Sequence, residues 1–273
     1  MAILGYPAYR TRTLILAQTM MTNRCLPPEI LDYIVDLLQD SPETLSQCCL
    51  TSKSWVLRTR KHLFAAVKFC TLGDIEAWKM TFPDPSNSPA HHTRSLSIYC
   101  LEVVTAADAA KGGWIRTFSR VVRLDVINGK DHDLRTYLPL FRDTLKSFSL
   151  SSFYIRYSQI IDLIYSFPLL EDLTLIGGSH DDGEPPTDSL PSTPPALTGT
   201  LWLRLIWGLS PMVRRLLDLP GGLHFRELWL HSEGTEDLLS AGKLVEGCSD
   251  TLEYLYVHHR PQGAVFSVPL VDR

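Results

Sequence analysis

Two hydrophobic spacings divide the chain. From Pro28 onward, apolar residues first recur at helical intervals. Ile30, Leu31, Ile34, Val35, Leu37 and Leu38 fall on one arc of a helical wheel, with Glu29, Asp32, Asp36 and Gln39 on the other. The arc spans about 160°, wider than the ~100° stripe of a simple surface helix. Pro28 suits the first helical position, where its missing N–H costs nothing. Ser41 is placed to cap a second helix opened by Pro42, in which Leu45, Cys48 and Cys49 recur at i, i+3, i+4. Ser52 is placed to cap a third, with Trp55, Val56, Thr59 and Leu63 on one side and Arg58, Arg60 and Lys61 elsewhere. Three helices in about 40 residues make a core at the lower limit of independent stability. The wide arc therefore predicts docking, on the rest of the chain or on another protein.

From Thr93 the spacing changes. A unit Φ-x-x-Φ-x-Φ, with Φ mostly apolar, starts at Thr93, Val121, Leu145, Leu170, Thr198, Phe225 and Leu252. Successive starts are 28, 24, 25, 28, 27 and 27 residues apart, with Thr93 and Thr198 imperfect first positions. Alternation of the last two Φ residues is a strand signal. Between the strands lie helical patterns: "SQIIDLIYSF" before Pro168, "SPMVRRLLDL" before Pro220, and "TEDLLSAGKLVEG" ending on Gly247. Ahead of the repeats, "TLGDIEAWKMTF" predicts a short helix and "PDPSNSPAHH" a linker or exposed loop. Residues 177–196 hold five prolines, four acids and no Lys or Arg, which predicts a mobile loop.

The repeat period matches a leucine-rich repeat, about 20–29 residues. It departs from that consensus where an Asn usually follows the strand: Gly129, Phe153, Gly178 and Glu233 stand there. The helical stretch resembles an F-box motif. Leu26, Pro27, Glu29 and Ile30 match its Leu-Pro-x-Glu-Ile opening, Leu45 its second helix, and Ser52, Lys53, Trp55, Leu63 and Phe64 its close, with Thr51 in place of the usual Val. The expected fold class is thus α plus α/β. A three-helix F-box module (residues 25–69) follows a disordered leader (1–24). A short helix and linker (70–92) then lead to an irregular leucine-rich-repeat-like solenoid of parallel strands alternating with helices (93–273). The leader, which carries Arg10, Arg12 and Arg24 and no acid, reads as disordered or as an over-extended start upstream of Met20-Met21, and a mitochondrial transit peptide is the alternative.

The resemblance, to fungal F-box domain-containing proteins, implies a substrate-receptor subunit of an SCF-type cullin–RING ubiquitin ligase. It implies that the module binds a Skp-family adaptor, and through it the cullin, while the repeats capture a protein target. The adaptor-binding residues it points to are Leu26, Pro27, Ile30, Ile34, Leu38, Leu45, Leu50, Lys53, Trp55 and Leu63. The alternative is a ligase-independent scaffold whose helical module packs on its own repeats.

Composition narrows the field. A net charge of -4 with scattered basic residues gives no footprint for nucleic acid or an anionic membrane. No apolar run reaches the ~18 residues of a membrane span. Six cysteines, Cys25, Cys48, Cys49, Cys70, Cys100 and Cys248, form no C-x-x-C pair and read as reduced, mostly buried thiols. There is no Asn-x-Ser/Thr acceptor, and the expectation is a cytoplasmic or nuclear protein. No G-x-S-x-G, Walker A, H-E-x-x-H or G-x-G-x-x-G occurs. Asp181-Asp182 read as solvated charge. His91-His92 and His258-His259 are poor two-ligand metal sites, because neighbours on a strand point to opposite faces. The reading is a non-catalytic chain with no cofactor and no metal.

In each repeat the residues flanking the Φ positions should face outward. The early repeats present small or polar groups there, such as Ser147, Ser149 and Ser151. The last three present Trp202, Arg204, Trp229, His231, Tyr254, Tyr256 and His258. Trp, Tyr and Arg are enriched at binding hot spots. These seven are the candidate target-binding residues, provided that the register does not slip by one and turn them into core.

Overall fold

The computed structural model describes residues 27–99, 113–128, 137–154, 157–178, 195, 197–205, 209–232, 234–259 and 266–267. The chain forms two compact units, residues 1–63 and 64–273. The expected leader and most of the 177–196 loop lie outside the described residues.

The first unit is three helices: α1 (Pro28–Leu37), α2 (Pro42–Thr51) and α3 (Lys53–Leu63). Prolines open α1 and α2, as the pattern indicates. Ser52 does cap α3, accepting from the Ser54 N–H at 3.3 Å. Ser41 makes no such bond; its hydroxyl pairs with Thr44 Oγ1 at 2.8 Å instead. The interior is small: Val35, Leu45, Cys48 and Thr59 are its buried residues. Thr59 is tolerated there because its hydroxyl donates to the Trp55 carbonyl at 2.7 Å, as buried polar groups must be paired. Burial pushes the Cys48 thiol up, which keeps it protonated and inert.

The second unit begins one strand earlier than the repeat spacing alone shows. Its sheet runs in chain order through β1 (Ala66–Phe69), β2 (Ser95–Ile98), β3 (Arg123–Ile127), β4 (Ser147–Tyr154), β5 (Asp172–Gly178), β6 (Thr200–Leu205), β7 (Glu227–Ser232), β8 (Tyr254–His259) and β9 (Phe266–Ser267). The first eight are parallel, and β9 is antiparallel to β8. The connections carry α4 (Leu72–Thr81), α5 (Tyr157–Tyr165), α6 (Ser210–Leu217) and α7 (Thr235–Gly247). In the early part, the described residues of the connections include 3₁₀ turns at Trp114–Thr117 and Leu138–Phe141. A parallel strand pair needs such a crossover.

Most parallel steps of the sheet share one backbone device, the β5–β6 step being the exception. A carbonyl just before or at a strand start accepts two successive N–H groups from the next step. Arg94 O takes those of Val122 and Arg123, Val122 O those of Lys146 and Ser147, and Lys146 O those of Glu171 and Asp172. Gly199 O and Arg226 O repeat it further along. A threonine adds to the link at three steps: Thr93 Oγ1 donates to Phe64 O at 2.8 Å, Thr144 to Val121 O at 2.7 Å, and Thr251 to Phe225 O at 3.1 Å. This explains how Thr93 fills an apolar position while fully buried. At the other imperfect position the neighbour substitutes: Leu197 is buried, with φ of 42°, while Thr198 is half-buried. Gly199 follows because a Cβ there would meet Asp172 Oδ1 at 2.1 Å, and that oxygen accepts the Thr200 N–H at 2.8 Å.

One face of the sheet is the core. Leu124 and Val126, Phe148 and Leu150, Leu173 and Leu175, Leu201 and Leu203, and Leu228 and Leu230 are all buried. They join Ile75 of α4, Ile164 of α5, Leu216 of α6 and Leu244 of α7 in one continuous cluster. The Φ positions therefore point inward, as the pattern predicts.

Several expectations change. The expected boundary at residue 69 divides differently: Leu63 ends α3, whereas Phe64 packs edge-on against Trp78 (5.8 Å) and Phe82 (6.0 Å). Residues 70–92 fall within the second unit. "TLGDIEAWKMTF" does form α4, capped by a reciprocal Thr71–Asp74 box. "PDPSNSPAHH" winds into two 3₁₀ turns in which Ser88, Pro89 and Ala90 are buried. His91 and His92 sit in the second of these turns rather than on a strand. Cys70 is exposed, unlike Cys48 and Cys248.

Candidate functional site

Two surfaces carry side chains that sequence reasoning singles out. The first is on the three-helix unit. Asp36 of α1 reaches α3: its carboxylate accepts from Arg58 Nε at 2.7 Å and from Arg58 Nη2, and lies 2.6 Å from His62 Nε2. The Arg58 hydrogen bond, then that of His62, holds the Asp36 carboxyl well below the usual carboxylate range. With the clamp on one side, the apolar residues that do not fit the four-residue core face water. Ile30 is 46% exposed, Ile34 36%, Leu37 65% and Leu50 81%. Tyr33 and Leu57 are exposed too.

Of the ten residues expected at this face, Pro27, Ile30, Ile34, Leu50 and Lys53 are exposed, and Leu38, Trp55 and Leu63 are half-buried. Leu26 lies outside the described residues. Leu45 is fully buried, so it holds the helices together and presents nothing to a partner. A helical wheel shows that Leu45 is apolar-facing but not which neighbour the face meets. Tyr33 and Leu57 were not signalled, because neither belongs to the apolar arc of its helix.

The second surface is the outward face of the sheet. Strand pairing puts Trp202, Trp229 and Tyr256 in one row across β6, β7 and β8. Two residues further along the strands lies a second row, Arg204, His231 and His258. Two residues the other way lie Thr200, Glu227 and Tyr254. All seven expected target-binding residues thus fall on the solvent face, in the register that the Leu-x-Leu pairs imply. Trp202, Arg204, Tyr254 and Tyr256 are exposed; Trp229, His231 and His258 are half-buried.

The rings are packed, not scattered. Trp229 lies 6.2 Å from Trp202, 4.9 Å from Tyr256 and 6.3 Å from Tyr254, all by ring centroids. His231 and His258 stack at 4.6 Å with their Nδ1 atoms 2.8 Å apart. That bond uses one Nδ1–H and one lone pair, so the two Nδ1 atoms do not both carry a proton while it is made. Glu227 Oε2 accepts from Thr200 Oγ1 (3.3 Å) and Trp229 Nε1 (3.5 Å). The aromatic row stops abruptly at β5, where Thr174 pairs with Trp202 and Ser149 with Thr174. At the far end of the sheet the row closes with Lys68, whose Nζ lies 4.2 Å above the Tyr99 ring. On β8, His259 points to the opposite face from His258 and meets the buried Ser232 hydroxyl at 3.0 Å. Along the β8 edge the backbone of β9 pairs His258 with Ser267 and His259 with Phe266.

No group of three or more His, Cys, Asp or Glu side chains among the described residues is arranged to hold a metal. None of the described helices is long and apolar enough to cross a membrane. No family model matches the chain, and no curated protein or solved structure is found similar to it. Fold and surfaces together define a mixed chain: a small helical unit with an apolar face, and a parallel sheet with helices and an aromatic outer face.

Proposed function

We propose that this chain is the substrate receptor of an SCF-type cullin–RING ubiquitin ligase. The three-helix unit is an F-box that binds a Skp-family adaptor, and the sheet unit is an irregular leucine-rich-repeat-like solenoid that captures a protein target. The observation that carries this reading is the exposed apolar face of Ile30, Ile34 and Leu37 on α1, with Leu50 exposed on α2, on a unit that has the Leu-Pro-x-Glu-Ile and Ser-Lys-x-Trp elements in order and ends at the Leu63 of the closing pair. A patch of this kind marks an interaction site, and a core of four residues is short of what a free-standing domain of this size needs. The chain contributes proximity rather than chemistry. Holding target and conjugating machinery in one assembly raises their effective concentration, and bond making belongs to other subunits.

The test is co-precipitation with the adaptor. Ile34→Glu places a charge in the apolar contact and leaves the unit folded, since Ile34 is already partly exposed. Adaptor recovery is expected to fall at least ten-fold, with helical content unchanged. Equal recovery of wild type and variant would overturn the assignment of this face. A folded wild-type chain that recovers no adaptor would favour the ligase-independent scaffold.

A further inference from the structure

The outer face of β5–β8 is banded by charge. At the N-terminal ends of the strands stand Asp172 and Glu227; in the middle, Trp202, Trp229 and Tyr256; at the C-terminal ends, Arg204 with His231 and His258. Along any one strand these bands are two residues apart, about 6.6 Å at ~3.3 Å per residue. An extended peptide has the same repeat. Residues i, i+2 and i+4 of a segment laid along the strands would therefore meet all three bands in turn.

The bands have capacity left for a ligand. Arg204 is exposed and has no ion-pair partner among the described residues. Glu227 is exposed, and both of its hydrogen bonds go to Oε2, so Oε1 remains to accept. Trp202 is 44% exposed beside the small Thr174, which leaves a step where a ligand backbone can come close.

Taking this face as the one that meets a target, as proposed above, we infer that its occupant is an extended protein segment with a basic, an apolar or aromatic, and an acidic residue at alternate positions. The basic residue lies toward Glu227 and Asp172, the ring over Trp202 and Trp229, and the acid toward Arg204. Charge complementarity singles out this occupant. A nucleic acid strand would set its phosphates against Asp172 and Glu227. An uncharged carbohydrate could stack on Trp202 but would leave both charged bands unsatisfied, which costs affinity.

The experiment is fluorescence anisotropy on the full chain with four capped, labelled peptides. Their centres are Lys-Ser-Phe-Ser-Glu, the reversed Glu-Ser-Phe-Ser-Lys, the doubly acidic Glu-Ser-Phe-Ser-Glu and the doubly basic Lys-Ser-Phe-Ser-Lys. One of the two mixed-charge peptides is expected to bind at least ten-fold more tightly than either single-sign peptide, and which one gives the direction of the segment. Arg204→Glu should move the preference to the doubly basic peptide, and Glu227→Lys to the doubly acidic one. A side chain that acted only on folding would not exchange its preferred ligand. Glu227→Gln, which keeps the bonds of Oε2, checks that any loss is of charge. Binding of all four peptides within two-fold, or variants that weaken all four alike, would overturn the banded motif. Capture of cellular targets by wild type against Trp202→Ala separates the two levels. Loss of targets in Trp202→Ala with no peptide preference leaves the face standing and removes the motif. Unchanged capture removes the face as well.

Discussion

The helical unit and the sheet unit treat apolar residues in opposite ways. Residues 28–63 bury four side chains and leave six large apolar ones exposed, among them Leu50 and Leu57 at 81% and 72%. The sheet unit threads one core from Phe69 to Cys248; among its described residues Leu72, Met80, Leu169, Leu238 and Leu239 are exposed outside the strands, and the exposed rings of Trp202, Tyr254 and Tyr256 lie together at one end of the sheet's outer face. The contrast separates two ways of making a surface adhesive. In the helices, apolar area is left over because the core is too small to absorb it. In the sheet, period-2 alternation puts the extra rings on the face away from the core, where Trp202, Trp229 and Tyr256 pack on each other.

The contrast can be tested by cutting into each core. Phe148 is buried among the strand residues, 6.0 Å from Phe167, and Phe148→Ala is expected to cost about 3–5 kcal/mol in urea unfolding. Leu45→Ala should cost about 2–5 kcal/mol, enough to exhaust the margin of a unit this small. In hydrogen exchange read by mass spectrometry, Leu45→Ala should remove protection over residues 28–63 and leave that of residues 66–259. Loss over both stretches would break the contrast.

The Asp36 clamp gives a smaller, pH-dependent effect. Its folded-state pKa is lowered, so its contribution is complete above the unfolded value of about 3.9 and is lost as pH falls through the lower folded value. Asp36→Asn should therefore destabilise by about 1 kcal/mol at pH 6. The difference from wild type should shrink once the pH falls below about 4. A difference that grows in acid would contradict the clamp. The smallest effect expected is a gain. Tyr165 is buried with no hydrogen-bond partner for its hydroxyl among the described residues, and burial pushes its pKa up. Tyr165→Phe should raise the unfolding midpoint, by about 1 kcal/mol or less; a loss would reveal a partner for that hydroxyl.

Much of the sheet could be read in advance because its signal is local. Leu201-Leu203 and Leu228-Leu230 alternate with Trp202 and Trp229, and a one-residue slip would have put two tryptophans in the core. The first strand was equally legible in form. Phe64-Ala65-Ala66-Val67-Lys68-Phe69 fits the repeat unit, and Ala66 pairs with Ser95. It was hidden because Phe64 also suits the close of the helical motif, and one residue cannot announce which of two neighbouring modules it serves. The site at the helices was less legible for a different reason. Spacing puts Leu45 and Ile34 alike on apolar arcs, yet only packing decides that Leu45 is enclosed and Ile34 is not. The substitution of Leu197 for Thr198 could not be foreseen either, because it depends on a left-handed φ that leaves no mark in the residue type.

The two-residue strand β9 has a consequence for self-association. A sheet whose strands all run one way ends in two unlike edges, and each continues the other. The open side of β8 could accept β1 of a second molecule in the same parallel sense, and a head-to-tail contact of that kind does not close on itself. Phe266 and Ser267 occupy part of the β8 edge and run the other way. An incoming parallel strand would meet backbone of the opposite polarity at His258 and His259, which works against head-to-tail growth at that end of the edge.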